Sequence, residues 1–226
     1  MAELYAVSIT EFPGFLMEPL LNCVAEKRER LSRLQQEKDR IRGLLGDLLV
    51  RKVISQALNI PYFNLRFARN AYGKPFLCEG GLEFNISHSG DWVVCAVSKE
   101  PVGIDIEKKG TVDLELARRF FAKDEDRYIR EQDDEESQLE RFYQVWSAKE
   151  SLIKAVGRGL SQGLDTFSVV SDYKLTPHIE MDGVIWNLTG VSLDSGYSLY
   201  ACTAGTNTCE KIEIIDVRLL IEEFLS

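Results

Sequence analysis

The chain has 226 residues, of which 45% are hydrophobic and 28% charged, with a formal net charge of −9. Those fractions describe a folded globular protein rather than a disordered one, and the negative balance opposes a nucleic-acid partner, whose phosphates draw a positive domain or a basic stripe. No stretch approaches the roughly 20 apolar residues that span a bilayer, and Met1-Ala2-Glu3-Leu4 opens without a basic run ahead of an apolar one, so neither membrane insertion nor secretion is expected.

The charge is uneven. Residues 26–42 hold Lys27, Arg28, Arg30, Arg33, Lys38, Arg40 and Arg42, whereas residues 131–140 hold Glu131, Asp133, Asp134, Glu135, Glu136 and Glu140. A locally basic segment in an acidic protein suits a small anionic ligand better than a polymer. From Ile41, the residues Leu44, Leu45, Leu48 and Leu49 recur at helical spacing and continue through Val53 and Leu58, which predicts an amphipathic helix over residues 41–60. A turn at Tyr72-Gly73-Lys74-Pro75 leads to strands over residues 84–87, 92–97 and 102–107, the last two expected to pair with each other.

The second half repeats this order, with a helix over 142–156, strands over 186–188, 197–203 and 211–217, and a closing helix over 219–224. The expectation is two similar α/β halves, residues 1–109 and 110–226, with functional residues at their junction. Cys23, Cys78, Cys95, Cys202 and Cys209 are odd in number, scattered and free of any C-x-x-C pair, and read as thiols of a reducing cytoplasm.

In Gly103-Ile104-Asp105-Ile106-Glu107 the strand period of two puts Asp105 and Glu107 on one face and the isoleucines on the other. Two readings stand: a hard-cation site of the kind Mg²⁺ prefers, or the wet face of a strand. On the second predicted helix, Trp146, Glu150 and Lys154 lie four residues apart along one line. Glu150 and Lys154 read either as a surface ion pair or, with the indole beside them, as groups at a cleft margin. Gly73-Lys74-Pro75 and Asn85-Ile86-Ser87-His88-Ser89-Gly90 offer an ammonium, hydroxyls and an imidazole in turn-like segments; His178, beside Pro177, reads as loop surface. No phosphate-binding glycine loop, nucleophile elbow or paired-histidine zinc motif is present.

Taken together and in order, G-K-P, N-I-S-H-S-G, V-G-I-D-I-E and W-S-A-K-E-S-L-I-K resemble the phosphopantetheinyl transferase superfamily, in particular its long, single-chain surfactin-synthetase-activating type that serves peptide and polyketide synthetases. The resemblance runs over residues 26–168. It implies an α+β, sandwich-like fold of two pseudo-symmetric halves, each a small, mostly antiparallel sheet packed with a long helix. It further implies that Asp105, Glu107 and Glu150 bind Mg²⁺, with Mn²⁺ equally suited, and that Lys27, Arg30, Arg42, Lys74, Pro75, Ser87 and His88 grip coenzyme A. Lys149 and Lys154 would face the pyrophosphate. At Gly43 some relatives carry a hydroxyl, so one phosphate contact is expected to be missing.

The implied reaction moves 4′-phosphopantetheine from coenzyme A to a serine of an acyl or peptidyl carrier protein, with Glu150 and Lys154 catalytic. The run Leu114, Leu116, Arg118, Arg119, Phe120, Phe121, Lys123 combines apolar groups with positive charge and is expected either to dock the carrier helix or to be a plain amphipathic core helix. Length disfavours the short trimeric relatives, so a monomer is expected. A Mg²⁺-dependent phosphohydrolase of coenzyme A or a nucleotide is the enzymatic alternative, and a non-catalytic carrier- or coenzyme A-binding subunit the other.

Overall fold

The computed structural model describes residues 1–159, 163–205 and 211–225, so Cys209 lies outside the described residues. The first part of the chain forms β1 (Glu3–Ser8), α1 (Met17–Cys23), α2 (Ala25–Ser32), α3 (Glu37–Leu58), β2 (Phe67–Arg69), β3 (Pro75–Leu77), β4 (Glu83–Ser89), β5 (Trp92–Ser98) and β6 (Val102–Lys108). The remainder forms α4 (Glu115–Phe120), α5 (Lys123–Arg130), α6 (Glu135–Val156), β7 (Val170–Ser171), β8 (Lys174–Leu175), β9 (His178–Met181), β10 (Val184–Gly190), β11 (Tyr197–Ala204), β12 (Ile212–Ile215) and α7 (Val217–Leu225). Among the described residues no helix is long and apolar enough to cross a membrane.

Two four-stranded sheets run in the orders β12-β1-β5-β4 and β6-β11-β10-β9. Every pairing in them is antiparallel except β1 with β12. Each half repeats one plan: a strand, a long helix, then a hairpin whose second strand pairs with the first strand (β1, α3, β4–β5; β6, α6, β10–β11). The α+β architecture with two pseudo-symmetric halves is therefore present.

Two expectations are corrected. β5 and β6 do not pair, because β5 sits between β1 and β4 while β6 joins β11 in the other sheet. The chain changes sheets at Pro101, and it changes back after β11, where β12 returns to β1. A division at residues 109 and 110 thus does not follow the sheets: β6 belongs with the second, and β12 and α7 with the first. Alternation identifies a strand but carries no information about its partner.

Period-two burial explains the layering. Val93, Cys95 and Val97 of β5 pack with Leu44, Leu45, Leu48 and Leu49 of α3, with α7 closing that core. Val94 and Ala96 face the other way and meet Ile104, Ile106, Leu199 and Ala201 between the two sheets. A third cluster joins α6 to Leu188, Cys202 and Trp186. Along β6, the open edge is bonded by side chains of β4: Asn85 Oδ1, Ser87 Oγ and Ser89 Oγ accept from the N–H groups of Ile104, Ile106 and Lys108 at 2.9, 3.4 and 3.0 Å.

Both long helices begin before the apolar stripe does, α3 at Glu37 and α6 at Glu135, because their first turns are polar and solvated. Asp134 starts α6 by accepting from Ser137 N–H at 2.8 Å, and left-handed Gly157 ends it at φ 77°.

Candidate active site

Close contact between β6 and α6 builds the centre of the site. A Cβ on Gly103 would lie 2.0 Å from Ser151 O and 2.4 Å from Ala155 N, so only glycine lets the strand lie on this helix backbone. The helix answers with small buried residues, Ser147, Ala148, Ser151 and Ala155. Two and four residues beyond Gly103, the same strand face carries Asp105 and Glu107, while Ile104 and Ile106 enter the inter-sheet core. On α6 the line Trp146, Glu150, Lys154 stays half-buried between buried neighbours.

Lys154 Nζ consequently reaches Asp105 Oδ1 at 2.5 Å and Ser87 Oγ at 3.0 Å. Ser87 donates to Asp105 Oδ1 and Ser89 to Glu107 Oε2, both at 3.0 Å. Among the described residues Asp105 Oδ2 is buried with no hydrogen-bond partner. Burial, then the nearby Asp105 charge, raises the pKa of Glu107 and of Glu150. Three carboxyls gathered at one end of the trough, two of them with raised pKa values and the third with an orphaned oxygen, make an all-oxygen donor set that fits a hard divalent cation. Among the described residues no group of three acidic, histidine or cysteine side chains closes into a ready metal shell.

This centre is one end of a trough. Ser87, His88, Asp105, Glu107, Trp146, Glu150 and Lys154 line its acidic end. Through His88 and Ile86 it adjoins a cavity lined by Lys27, Arg30, Arg42, Arg69 and Pro75. Through Glu150 and Lys154 it adjoins a third, lined also by Tyr72, Gly73, Lys74, Pro75 and Gly157. Lys27 pairs with buried Asp47 at 3.1 Å, and Arg42 donates to Gly90 O at 2.5 Å. The His88 ring is exposed yet lies low enough in the trough that desolvation, then the Arg42 and Lys154 charges, lowers its pKa and favours neutral imidazole.

Lys27, Arg30, Arg42, Pro75 and His88 thus gather in one cavity, and Ser87, Asp105, Glu107, Glu150 and Lys154 in the next. Lys74 lines the third cavity, with its ammonium engaged by two backbone carbonyls, Ala155 O at 3.1 Å and Val102 O at 3.2 Å. Lys149 is a correction: it is fully buried, with Nζ 2.6 and 2.7 Å from the Glu125 oxygens and 2.6 Å from Phe167 O. One residue is about 100° of helix rotation, which turns Lys149 from the trough that Glu150 faces into the core. Burial lowers the Lys149 pKa and raises that of Glu125, each opposed by the other's charge.

Phe121 follows the core-helix alternative for its run, buried against Phe142 and Trp146 at ring separations of 5.4 and 6.0 Å. Arg118, Arg119 and Phe120 are exposed, with Leu114 and Leu116 half-buried beneath them. His178 is exposed as expected, but on edge strand β9 rather than in a loop. Sequence reasoning missed Arg69, which enters the cationic cavity from a three-residue strand too short to show alternation.

The chain resembles known proteins over most of its length. Residues 17–100 match the family model described as 4′-phosphopantetheinyl transferase, N-terminal, and residues 101–202 match that of the 4′-phosphopantetheinyl transferase superfamily, the two meeting where the chain changes sheets. The chain is 40% identical to 4′-phosphopantetheinyl transferase Sfp of Bacillus subtilis (strain 168), over 87% of this chain and 88% of that protein. It is 44% identical to 4′-phosphopantetheinyl transferase gsp of Aneurinibacillus migulanus, over 65% and 61% of the two chains. With L-aminoadipate-semialdehyde dehydrogenase-phosphopantetheinyl transferase of Homo sapiens it shares 35% identity over 75% of this chain and 58% of that one. These relatives are transferases by name, and the phosphohydrolase alternative finds no support among them. The sequence blocks, the paired α/β halves and these matches agree, and the chain belongs to the 4′-phosphopantetheinyl transferase superfamily.

Proposed function

We propose that the trough carries out the family's reaction, transfer of 4′-phosphopantetheine from coenzyme A to a carrier-protein serine, with this division of labour among its residues. The observation that carries the reading is the meeting of Lys154, Asp105 and Glu150 at one end of a trough whose adjoining cavity is lined by Lys27, Arg30, Arg42, Arg69 and His88. The cationic cavity takes the nucleotide end of coenzyme A, with its 3′-phosphate, and Lys154 takes the pyrophosphate. Asp105, Glu107 and Glu150 would hold Mg²⁺ or Mn²⁺, which supplies positive charge beside the phosphate oxygens when bound.

The carrier serine Oγ forms a bond to the pantetheine-side phosphorus as the bridging P–O bond breaks. Adenosine 3′,5′-bisphosphate leaves with that electron pair. Glu150, directly or through a water, accepts the serine proton, and Lys154 stabilises charge on the leaving phosphate. Asp105 orients the Lys154 ammonium, and Ser87 supports both. Arg118, Arg119 and Phe120 meet the acidic carrier helix beside its serine. A single chain supplies both walls of the trough, which favours a monomer, and the free thiols of Cys23, Cys78 and Cys95 suit a reducing cytoplasm.

Intact mass of an apo carrier protein after incubation with this chain, coenzyme A and Mg²⁺ tests the reading. The expected result is a gain of one phosphopantetheine that a chelator abolishes. Coenzyme A consumption with no gain on peptide, polyketide or fatty-acid carriers would overturn it.

A further inference from the structure

The turn at residues 70–74 lies in the first half of the sequence, yet its side chains end on α6. Asn70 Nδ2 donates to Gly157 O at 3.0 Å. Its Oδ1 accepts from the N–H groups of Tyr72 and Lys74, both at 2.9 Å, and its own N–H donates to Lys74 O at 2.9 Å, so the turn is held as a unit. Lys74 Nζ then donates to Ala155 O at 3.1 Å and Val102 O at 3.2 Å.

These acceptors have a meaning in the helix. The last carbonyls of a helix have no intrahelical donor, and the C-terminus carries partial negative charge, so a cation there is favoured. Ala155 directly follows Lys154, and Val102 lies three residues before Asp105 on β6. One ammonium therefore bridges the strand and the helix whose separation sets the Lys154–Asp105 contact. Gly157 makes room for it, since a Cβ there would lie 3.0 Å from Lys74 Cδ. Burial lowers the Lys74 pKa, in keeping with a half-buried ammonium turned onto two backbone carbonyls.

We propose that Lys74 and Asn70 are positioning residues that lock the last turn of α6 onto β6, and so fix Glu150 and Lys154 for the reaction, rather than ligands of a coenzyme A phosphate. The assignment rests on the catalytic reading of Glu150 and Lys154 given above. It replaces the role that the family resemblance implied for Lys74. Misplacing reacting groups by an ångström costs up to about 100-fold in rate, so the effect belongs in turnover and not in substrate affinity.

Steady-state kinetics on Lys74→Met, Lys74→Arg and Asn70→Ala, with calorimetric titration of coenzyme A, provide the test. Lys74→Met is expected to lower kcat roughly tenfold to a hundredfold while KM and Kd for coenzyme A stay within about twofold. Lys74→Arg, which can still donate to two carbonyls, recovers part of the loss, and Asn70→Ala shows the same split at smaller amplitude. Hydrogen exchange reads the lock without turnover: amides of residues 153–157 lose protection in Lys74→Met. A tenfold rise in Kd for coenzyme A with kcat and amide protection unchanged would make Lys74 a phosphate ligand and overturn the proposal. If Lys74→Met fails to fold, Asn70→Ala decides by the same split. A wild-type chain that transfers nothing would remove the functional reading, while hydrogen exchange still decides the lock.

Discussion

The two halves share a plan but are joined to their helices differently. In the first, glycine is on the helix: a Cβ on Gly46 would come 3.3 Å from Ile86 Cγ2, a side-chain methyl. In the second, glycine is on the strand, and Gly103 lies directly on the backbone of Ser151 and Ala155. The first half lines the trough with cations and the second supplies Asp105, Glu107, Glu150 and Lys154. A wall that only attracts an anion tolerates the slack of side-chain packing. A wall that must register an ammonium, a base and a carboxylate across two elements gains from backbone contact, which leaves little room for adjustment.

The largest expected effect breaks the chemistry on the second wall. Glu150→Gln should lower turnover at least about 100-fold with KM for coenzyme A nearly unchanged; an equal loss of coenzyme A affinity would place Glu150 in ground-state binding instead. Next is the sealed ion pair beneath that wall. Lys149→Met should cost about 3–5 kcal/mol in urea denaturation because Glu125 is left buried and uncompensated, and adding Glu125→Leu should recover part of it.

The glycines test the comparison itself. Gly103→Ala should cost about 1–3 kcal/mol by overpacking and depress turnover by separating Lys154 from Asp105. Gly46→Ala should be close to neutral, since one methyl yields and the helix gains about 1 kcal/mol of propensity. Equal costs at the two sites would remove the distinction drawn between the halves.

Arg118→Glu with Arg119→Glu should raise KM for the carrier several-fold, less so at high salt, and leave KM for coenzyme A alone; unchanged carrier KM would move docking elsewhere. The smallest effect concerns the start of α6. Accepting from Ser137 N–H holds the Asp134 pKa below its ordinary value of 3.8. A depressed carboxylate contributes stability that is complete above that ordinary value and is lost as pH falls through the lower, folded one. Thermal melts of Asp134→Ala should therefore differ from wild type near neutral pH and converge with it in strong acid.

Much of the site was legible because its residues obey local periods. The strand period separates Asp105 and Glu107 from Ile104 and Ile106, and the helix period aligns Trp146, Glu150 and Lys154; both alignments hold within one element. What escaped depends on partners outside the element. Alternation could not show that β6 leaves β5 for β11, nor that Ser87 and Ser89 would serve the edge of β6. Lys149 departs from the role that the resemblance implies because a motif read as a block hides the single step around the helix that buries it. The break between α4 and α5 at Phe121 and Ala122 was hidden because one residue of the apolar-basic run turns inward and its neighbour does not.

The reciprocal exchange of β6 and β12 bears on how the chain reaches this state. Leu4 pairs with Ile212, so the first sheet closes around nearly the whole chain, and pairings at such separation form late and slowly. Until they form, β1 keeps an open edge and β6 presents Val102, Ile104 and Ile106 with no sheet to receive them. Such edges are sites of intermolecular pairing. A fragment cut between Lys108 and Thr111 should therefore aggregate rather than fold, because each half finishes the sheet of the other.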